Sequence, residues 1–215
     1  RSSAASDVYK RQEQYLSGIR DVIDRGIFTM VRQREMLGLG HAILTGEPLI
    51  GDQPFGVVLS DDLCLNREGP GVLAQMAALY EEHQCSIVAV QEVPREEVDK
   101  YGVVAGTAER DGLTRVGEMV EKPSPEEAPS NLAVIGRYIL TPDIFDIIRN
   151  TPPGKNGEVQ LTDALQERLG KAAYWPTSSK GYALTVEACR ALSRPPSMFL
   201  STTTASLNDR RVRLF

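Results

Sequence analysis

Cysteine is scarce in this chain: Cys64, Cys85 and Cys189 are the only three in 215 residues. They are too few for a disulfide framework, and their spacing fits no metal-ligand motif. Cys64 and Cys85 lie beside apolar runs, so inert buried thiols in a reducing compartment are expected. Positive charge is also in short supply. The net charge is -5 and no basic stripe occurs, which argues against a nucleic-acid backbone as ligand. Apolar runs are too short to cross a bilayer. No signal peptide is visible, which points to the cytoplasm. No internal repeat occurs. What remains is ordinary globular composition, with 41% hydrophobic and 25% charged residues, and enough length for one domain with a core.

Apolar periodicity divides the chain. Tyr15, Leu16, Ile19, Val22 and Ile23 recur at helical spacing up to about Arg25. Ile27-Phe28-Thr29-Met30-Val31 reads as a strand after Gly26. Gly40 to Leu49 reads as a helix, Phe55 to Leu59 as a buried strand, Val72 to Glu82 as an amphipathic helix and Ser86 to Gln91 as a strand. This alternation predicts an α/β fold with a mostly parallel sheet and helices on its faces. After Pro94, strands follow at Tyr101 to Ala105, Arg115 to Glu121 and Leu132 to Leu140, with a hairpin turn at Glu109-Arg110-Asp111-Gly112. Thr141-Pro142-Asp143 caps a helix to Arg149, and Leu161 to Leu169 forms another.

Short motifs stand beside these elements: Gln33 with Gly38-Leu39-Gly40-His41-Ala42, Asp61-Asp62, Tyr101-Gly102, Glu121-Lys122-Pro123 and Gln160-Leu161-Thr162-Asp163. Taken singly, each has a bland reading. Gln33 can be a surface amide, Gly38 a helix start, Asp61-Asp62 a turn cap, Glu121-Lys122 a solvated pair and Thr162 a helix cap. Gly38-Leu39-Gly40 is not a dinucleotide fingerprint, because the third glycine is missing. His41 reads as a packed structural histidine, and His83 has no motif context.

In this order, over Tyr15 to Leu169, the motifs resemble the sugar-1-phosphate nucleotidylyltransferases. That resemblance implies a Rossmann-like mixed sheet with helices on both faces. It implies Asp61 as a Mg²⁺ ligand with Asp62 in support, and Gln33 and Gly38 against a nucleobase. It also implies Gly102 and Glu121 on the sugar and Lys122 on its phosphate. The Gln33 to His41 segment favours the uridylyl branch, in which UTP and glucose 1-phosphate give UDP-glucose and pyrophosphate; thymidylyl transfer is the neighbouring alternative. The family also implies a homo-oligomer and no membrane or nucleic-acid partner.

The two ends depart from that pattern. The first strand, its glycine-rich loop with a Thr-Arg pair and a following lysine are missing, so an uncovered sheet edge is expected. Residues 1–12 resemble translated adapter sequence and are read as a non-native tail. Residues 13–172 are the partial nucleotidyltransferase domain. Residues 173–215 are read as frameshifted. Permitted codons from Ala173 to Ala188, taken from each third base, spell Val-Leu-Ala-Tyr-Glu-Phe-Lys-Gly-Leu-Arg-Phe-Asp-Cys-Gly-Ser, which restores the family's Phe-Lys-Gly and Asp-Cys-Gly segments. Its second metal aspartate would arise where Leu184 meets Thr185. Tyr174 to Phe215 is therefore expected to be poorly ordered, and this chain not to turn over. A noncatalytic sugar-nucleotide-binding fragment is the competing reading. An α/β domain binding a protein through Ser124–Pro129 is a third.

Overall fold

The computed structural model describes residues 13, 16, 17, 20, 23, 24, 26–64, 66, 69–154, 157–170, 181–185, 189–191 and 213–214, the last two ranges as backbone. The N-terminal tail at 1–12 lies outside the described residues, as does most of the C-terminal tail. Described residues between 13 and 24 are helical and exposed. The expected strand at 27–31 does not form. Ile27, Phe28 and Met30 are 98%, 69% and 99% exposed, and among the described residues no strand pairs with them. β propensity reflects packing on a sheet, so a β-rich run without a neighbour has nothing to hold it extended.

Helix α1 (Gly38–Thr45) and the short α2 (Glu47–Ile50) replace the single predicted helix, divided at Gly46 with a proline in the first turn of α2. Strand β1 (Phe55–Val58) is followed by β2 (Asp62–Cys64), helix α3 (Val72–His83) and β3 (Ile87–Glu92). In α3, Val72, Met76 and Leu79 are buried at helical spacing, and Gln84 ends the helix in the left-handed region with φ 49. A 3-10 helix (Arg95–Lys100) precedes β4 (Gly102–Arg110) and β5 (Leu113–Glu121). These two strands pair antiparallel around Asp111-Gly112, where Gly112 supplies the φ of 69° the predicted turn needs. Strand β6 (Leu132–Leu140), helices α4 (Ile144–Asn150) and α5 (Leu161–Gly170), and strands β7 (Gly181–Thr185), β8 (Cys189–Ala191) and β9 (Arg213–Leu214) complete the order.

The seven-stranded sheet runs β3-β7-β5-β4-β6-β1-β9, and β3 also pairs with β6. The mixed α/β class predicted from sequence holds, but the mostly parallel pairing does not. β1 and β3 point the same way, yet β6 lies between them and runs antiparallel to both. The parallel pairs are β3 with β7 and β1 with β9. On one face of the sheet, Phe55, Val57, Val88, Val90 and Tyr138 pack against α1, α4 and α5. The Phe55 and Phe145 rings stack there with centroids 5.0 Å apart, and burying each such side chain stabilises by about 1.5–3 kcal/mol. On the other face Ile87, Ala89, Ile135 and Ile139 pack against α3. Helices thus cover both faces, as expected.

Four further expectations change. The helix read as capped at Thr141 with Pro142 in its first position begins at Ile144 instead, with Asp143 at its N-cap and no side-chain cap hydrogen bond; the Asp143 carboxylate accepts from Nε of Arg168 at 2.8 Å and Thr141 Oγ1 from Nη2 of Arg168 at 3.0 Å. Cys64 is disulfide-bonded rather than an inert thiol, and the β2–β8 register sets it opposite Cys189. Cys85 is a buried cysteine outside any disulfide, as predicted. Within the tail read as poorly ordered, residues 181–185 form β7, flanked by β3 and β5, with Tyr182 and Ala183 buried. The apolar Tyr182-Ala183-Leu184 run satisfies a strand slot whatever its origin. The β1 edge expected to be bare is met by β9 at Phe55 and Gly56.

Arg95 fastens the proline- and glutamate-rich segment after Glu121-Lys122. It donates to the carbonyls of Pro125 at 2.7 Å, Ala128 at 2.6 Å and Ser130 at 3.2 Å. Charge-assisted bonds of this kind are the stronger sort. Arg95→Ala should leave the global melting temperature near wild type while limited proteolysis at Glu126 or Glu127 accelerates several-fold. Unchanged cleavage would show that the segment holds its shape without Arg95.

Candidate active site

The site is built by strand ends. β1 delivers Asp61-Asp62 immediately past its C-terminal end, where open α/β sheets present their ligands. Asp61 is exposed and Asp62 half-buried. Burial and the neighbouring Asp61 push the Asp62 carboxyl above its ordinary range, while Arg137 and a backbone hydrogen bond from Gly136 pull it down. Leu59 N–H donates to Gly136 O at 2.8 Å, extending the β1–β6 ladder into the turn. Arg137 donates from Nη1 to Leu59 O and Gly136 O, both at 2.8 Å, and from Nη2 to Asp62 O.

β5 ends on Glu121 and Lys122. The Lys122 ammonium is 3.8 Å from Glu121 Oε1, with the two side chains 58% and 22% exposed. Lys122 has φ 45, a conformation that costs a non-glycine residue energy and is typical of constrained functional positions. Its N–H donates to Tyr101 O at 3.0 Å, closing the end of the β4–β5 ladder. Gly102 opens β4 beside this pair. A Cβ there would lie 2.8 Å from Thr162 Oγ1 and 3.2 Å from Glu121 Oε2, so a larger residue would push on both side chains.

The third group surrounds the start of α1. Gln33 Nε2 donates to Gly38 O at 3.2 Å and to Nδ1 of His41 at 2.9 Å. An amide nitrogen only donates, so Nδ1 of His41 accepts in this pair. His41 is thus a packing partner of Gln33, in keeping with its structural reading. Gly38 has φ 91, and a Cβ on it would meet Glu158 Cβ and Val159 O at 2.9 Å. Val159 N–H donates to Leu37 O at 2.8 Å, and Gly40 N–H to Val159 O at 3.0 Å. The Glu158–Thr162 segment therefore links the Gln33–Gly38 group to the Gly102–Glu121 group. Thr162 sits inside α5 rather than capping it.

Tyr138 joins the remaining pair of groups. Its ring is buried on β6. Burial, followed by the charges of Glu121, Asp62 and Asp61, pushes its phenol upward. The charges of Glu121 and of both aspartates thus act on one side chain. A separate recess lined by Val88, Val116, Leu165 and Tyr182 includes none of the predicted site residues. Sequence reasoning missed Arg137, Tyr138 and Val159. The available signal was an arginine inside the otherwise apolar run Leu132 to Leu140.

Among the described residues, no helix is long and apolar enough to cross a membrane. Residues 8–176 match the nucleotidyl transferase family. Over 157 residues the chain is 67% identical to UTP–glucose-1-phosphate uridylyltransferase of Pseudomonas aeruginosa, covering 73% of this chain and 56% of that protein. It is 42% identical over 158 residues to the uridylyltransferase YngB of Bacillus subtilis, covering 74% and 52%. A crystal structure of UDP-glucose pyrophosphorylase complexed with UDP-glucose superimposes with a TM-score of 0.77 at 52% identity, covering 82% of this chain and 65% of that one. The chain spans about half the length of the curated relatives it matches. With its motifs gathered at the strand ends of a mixed α/β sheet, this chain belongs to the nucleotidyl transferase family.

Proposed function

We propose that the protein to which this chain belongs transfers a uridylyl group from UTP to glucose 1-phosphate. A phosphate oxygen of the sugar attacks the α-phosphorus of UTP, a new P–O bond forms, and the bond to pyrophosphate breaks. The reading is carried by one observation: Asp61-Asp62 follows the end of β1, which pairs with β6, and Glu121-Lys122 ends β5 beside Gly102, in a chain 67% identical to a uridylyltransferase.

In this reading Glu121 accepts sugar hydroxyl hydrogens and Lys122 neutralises the sugar phosphate. Gly102 keeps the backbone low beneath the sugar. Gln33 uses Nε2 internally, which turns the amide oxygen to the task of accepting a uracil N–H, while Gly38 admits the base. Phosphoryl chemistry of this kind depends on positioning and charge compensation more than on covalent help.

Mg²⁺ suits the residues present. Among the described residues, no group of three or more His, Cys, Asp or Glu could enclose a metal. Two adjacent carboxylates at a strand end are what Mg²⁺ takes when substrate phosphates complete its shell. Asp61, exposed, would be the ligand; Asp62, half-buried and backbone-bonded, would support it. When bound, the ion would stabilise charge on the phosphate oxygens.

Calorimetric titration with UDP-glucose tests the binding half, and magnesium-dependent pyrophosphate release from UTP and glucose 1-phosphate, on the chain completed to its relatives' length, tests the reaction. Binding that Glu121→Ala abolishes is expected. Pyrophosphate release with thymidine triphosphate but not UTP would overturn the uridylyl assignment. Lys122→Gly separates strain from charge. It should hold or raise the melting temperature, since glycine tolerates φ 45, while lowering turnover about 10²-fold through loss of the cation. A variant both less stable and fully active would sink this role for Lys122.

A further inference from the structure

We propose that Arg137 is a positioning residue that holds the Asp61-Asp62 turn in the geometry a divalent cation requires. The inference rests on the reading of Asp61 as a metal ligand and extends it to a side chain outside every motif. Arg137 stands in β6 opposite Val58, the last residue of β1. Its guanidinium reaches across 78 residues of sequence to Leu59 O, just before the turn, and across 75 to Asp62 O, just after it. A third bond goes to Gly136 O. One planar fork therefore ties both ends of the turn to the strand beneath. The guanidinium is only partly exposed, so these bonds are not exchanged freely with water.

Gly136 completes the brace. Its backbone hydrogen-bonds the Asp62 carboxylate, and a Cβ on it would lie 2.7 Å from Asp62 Oδ2 and 2.8 Å from Leu59 Cβ. The Gly136-Arg137 step thus fixes the Asp62 carboxylate from below and the turn backbone from the side. Asp61, between these anchors, is left exposed and facing outward. Lysine cannot replace the fork, because its ammonium is a single point with no fixed planar geometry.

A positioning role and a purely electrostatic one predict opposite results. Arg137 places positive charge beside Asp61 and Asp62, so losing that charge alone would tighten cation binding. Losing the brace would weaken it, by about 10-fold or more, as for other groups that orient metal ligands. The experiment titrates the 215-residue chain with Mn²⁺ alone, read by electron paramagnetic resonance, and follows amide hydrogen exchange at residues 59–64. Arg137→Met and Arg137→Lys should both bind Mn²⁺ about tenfold or more weaker and exchange faster at 59–64 than elsewhere. Arg137→Gln, which keeps two donors, should recover part of both. Tighter Mn²⁺ binding by Arg137→Met, wild-type binding by Arg137→Lys, or unchanged exchange would overturn the proposal. Global unfolding of all three variants, in place of local loosening, would overturn it as well. If the unaltered chain fails to bind Mn²⁺ while exchange still rises in the variants, the brace is real but the metal reading fails, and the proposal falls with it.

Discussion

In the chain completed to its relatives' length, Asp61→Asn is expected to lower the proposed magnesium-dependent UDP-glucose synthesis by about 10²–10⁴-fold, corresponding to the several kcal/mol a bound divalent ion supplies to phosphoryl chemistry. The argument is one of placement. Asp61 is the exposed member of the pair at the end of β1, whereas Asp62 is tied to Gly136 and its carbonyl to Arg137. The amide of asparagine keeps the shape but carries no charge, so the fold should be untouched. Circular dichroism and melting should match the parent chain, and Mn²⁺ binding should disappear. Asp62→Asn should do less to turnover and more to the turn. If Asp61→Asn retained full metal-dependent turnover and Asp62→Asn did not, the roles of the two carboxylates would be reversed.

The second large effect concerns stability. Asp143→Ala should destabilise the chain by about 2–3 kcal/mol, because it takes a carboxylate partner from an arginine side chain that is only 4% exposed. Arg168 sits on the buried face of α5 and donates to Asp143 Oδ2 at 2.8 Å and to Thr141 Oγ1 at 3.0 Å. Thr141 Oγ1 is in turn 3.1 Å from Ser86 Oγ. This polar chain links the start of β3, the end of β6 and the helices α4 and α5. Losing the partner of a buried charge costs more than a surface pair would, and the half-exposed Asp143 keeps the figure below that of a fully enclosed pair. Asp146→Ala, which removes an 84%-exposed carboxylate from Arg149, serves as the control and should melt with the parent chain. Equal melting temperatures for Asp143→Ala and the control would refute the buried-charge argument.

Elements whose apolar residues repeat at one period were legible from sequence. Val72, Met76 and Leu79 announce α3, and the unbroken apolar run of β3 announces a strand buried on both faces. The position of Asp61-Asp62 past a buried strand was legible for the same reason. Strand order was not. Nothing in Leu132 to Leu140 says that it will slide between β1 and β3, since that pairing is decided by contacts made far away in the chain. Ile27 to Val31 shows the converse: local preference without a neighbour makes no strand. Cys64 is a third instance, because its disulfide depends on which strand folding brings beside β2 rather than on cysteine spacing. Within the site, Glu121, Lys122 and Gly102 were singled out because their motifs resemble those of the family, not because strand-end placement alone marks a site. Arg137 was passed over because it lies inside a strand, and its partners are 75 to 78 residues away.

The reversed strand β6 has one last consequence. Gly136, Arg137 and Tyr138 are consecutive, so they alternate between opposite sides of the ribbon: Val134, Tyr138 and Leu140 face one layer of helices, Ile135 and Ile139 the other. A single inserted or deleted amino acid between Leu132 and Gly136 would exchange those sides wholesale. The guanidinium would then point into greasy helix packing and the phenol would leave the carboxylates. This nine-residue stretch should consequently tolerate conservative replacement far better than any change in its length.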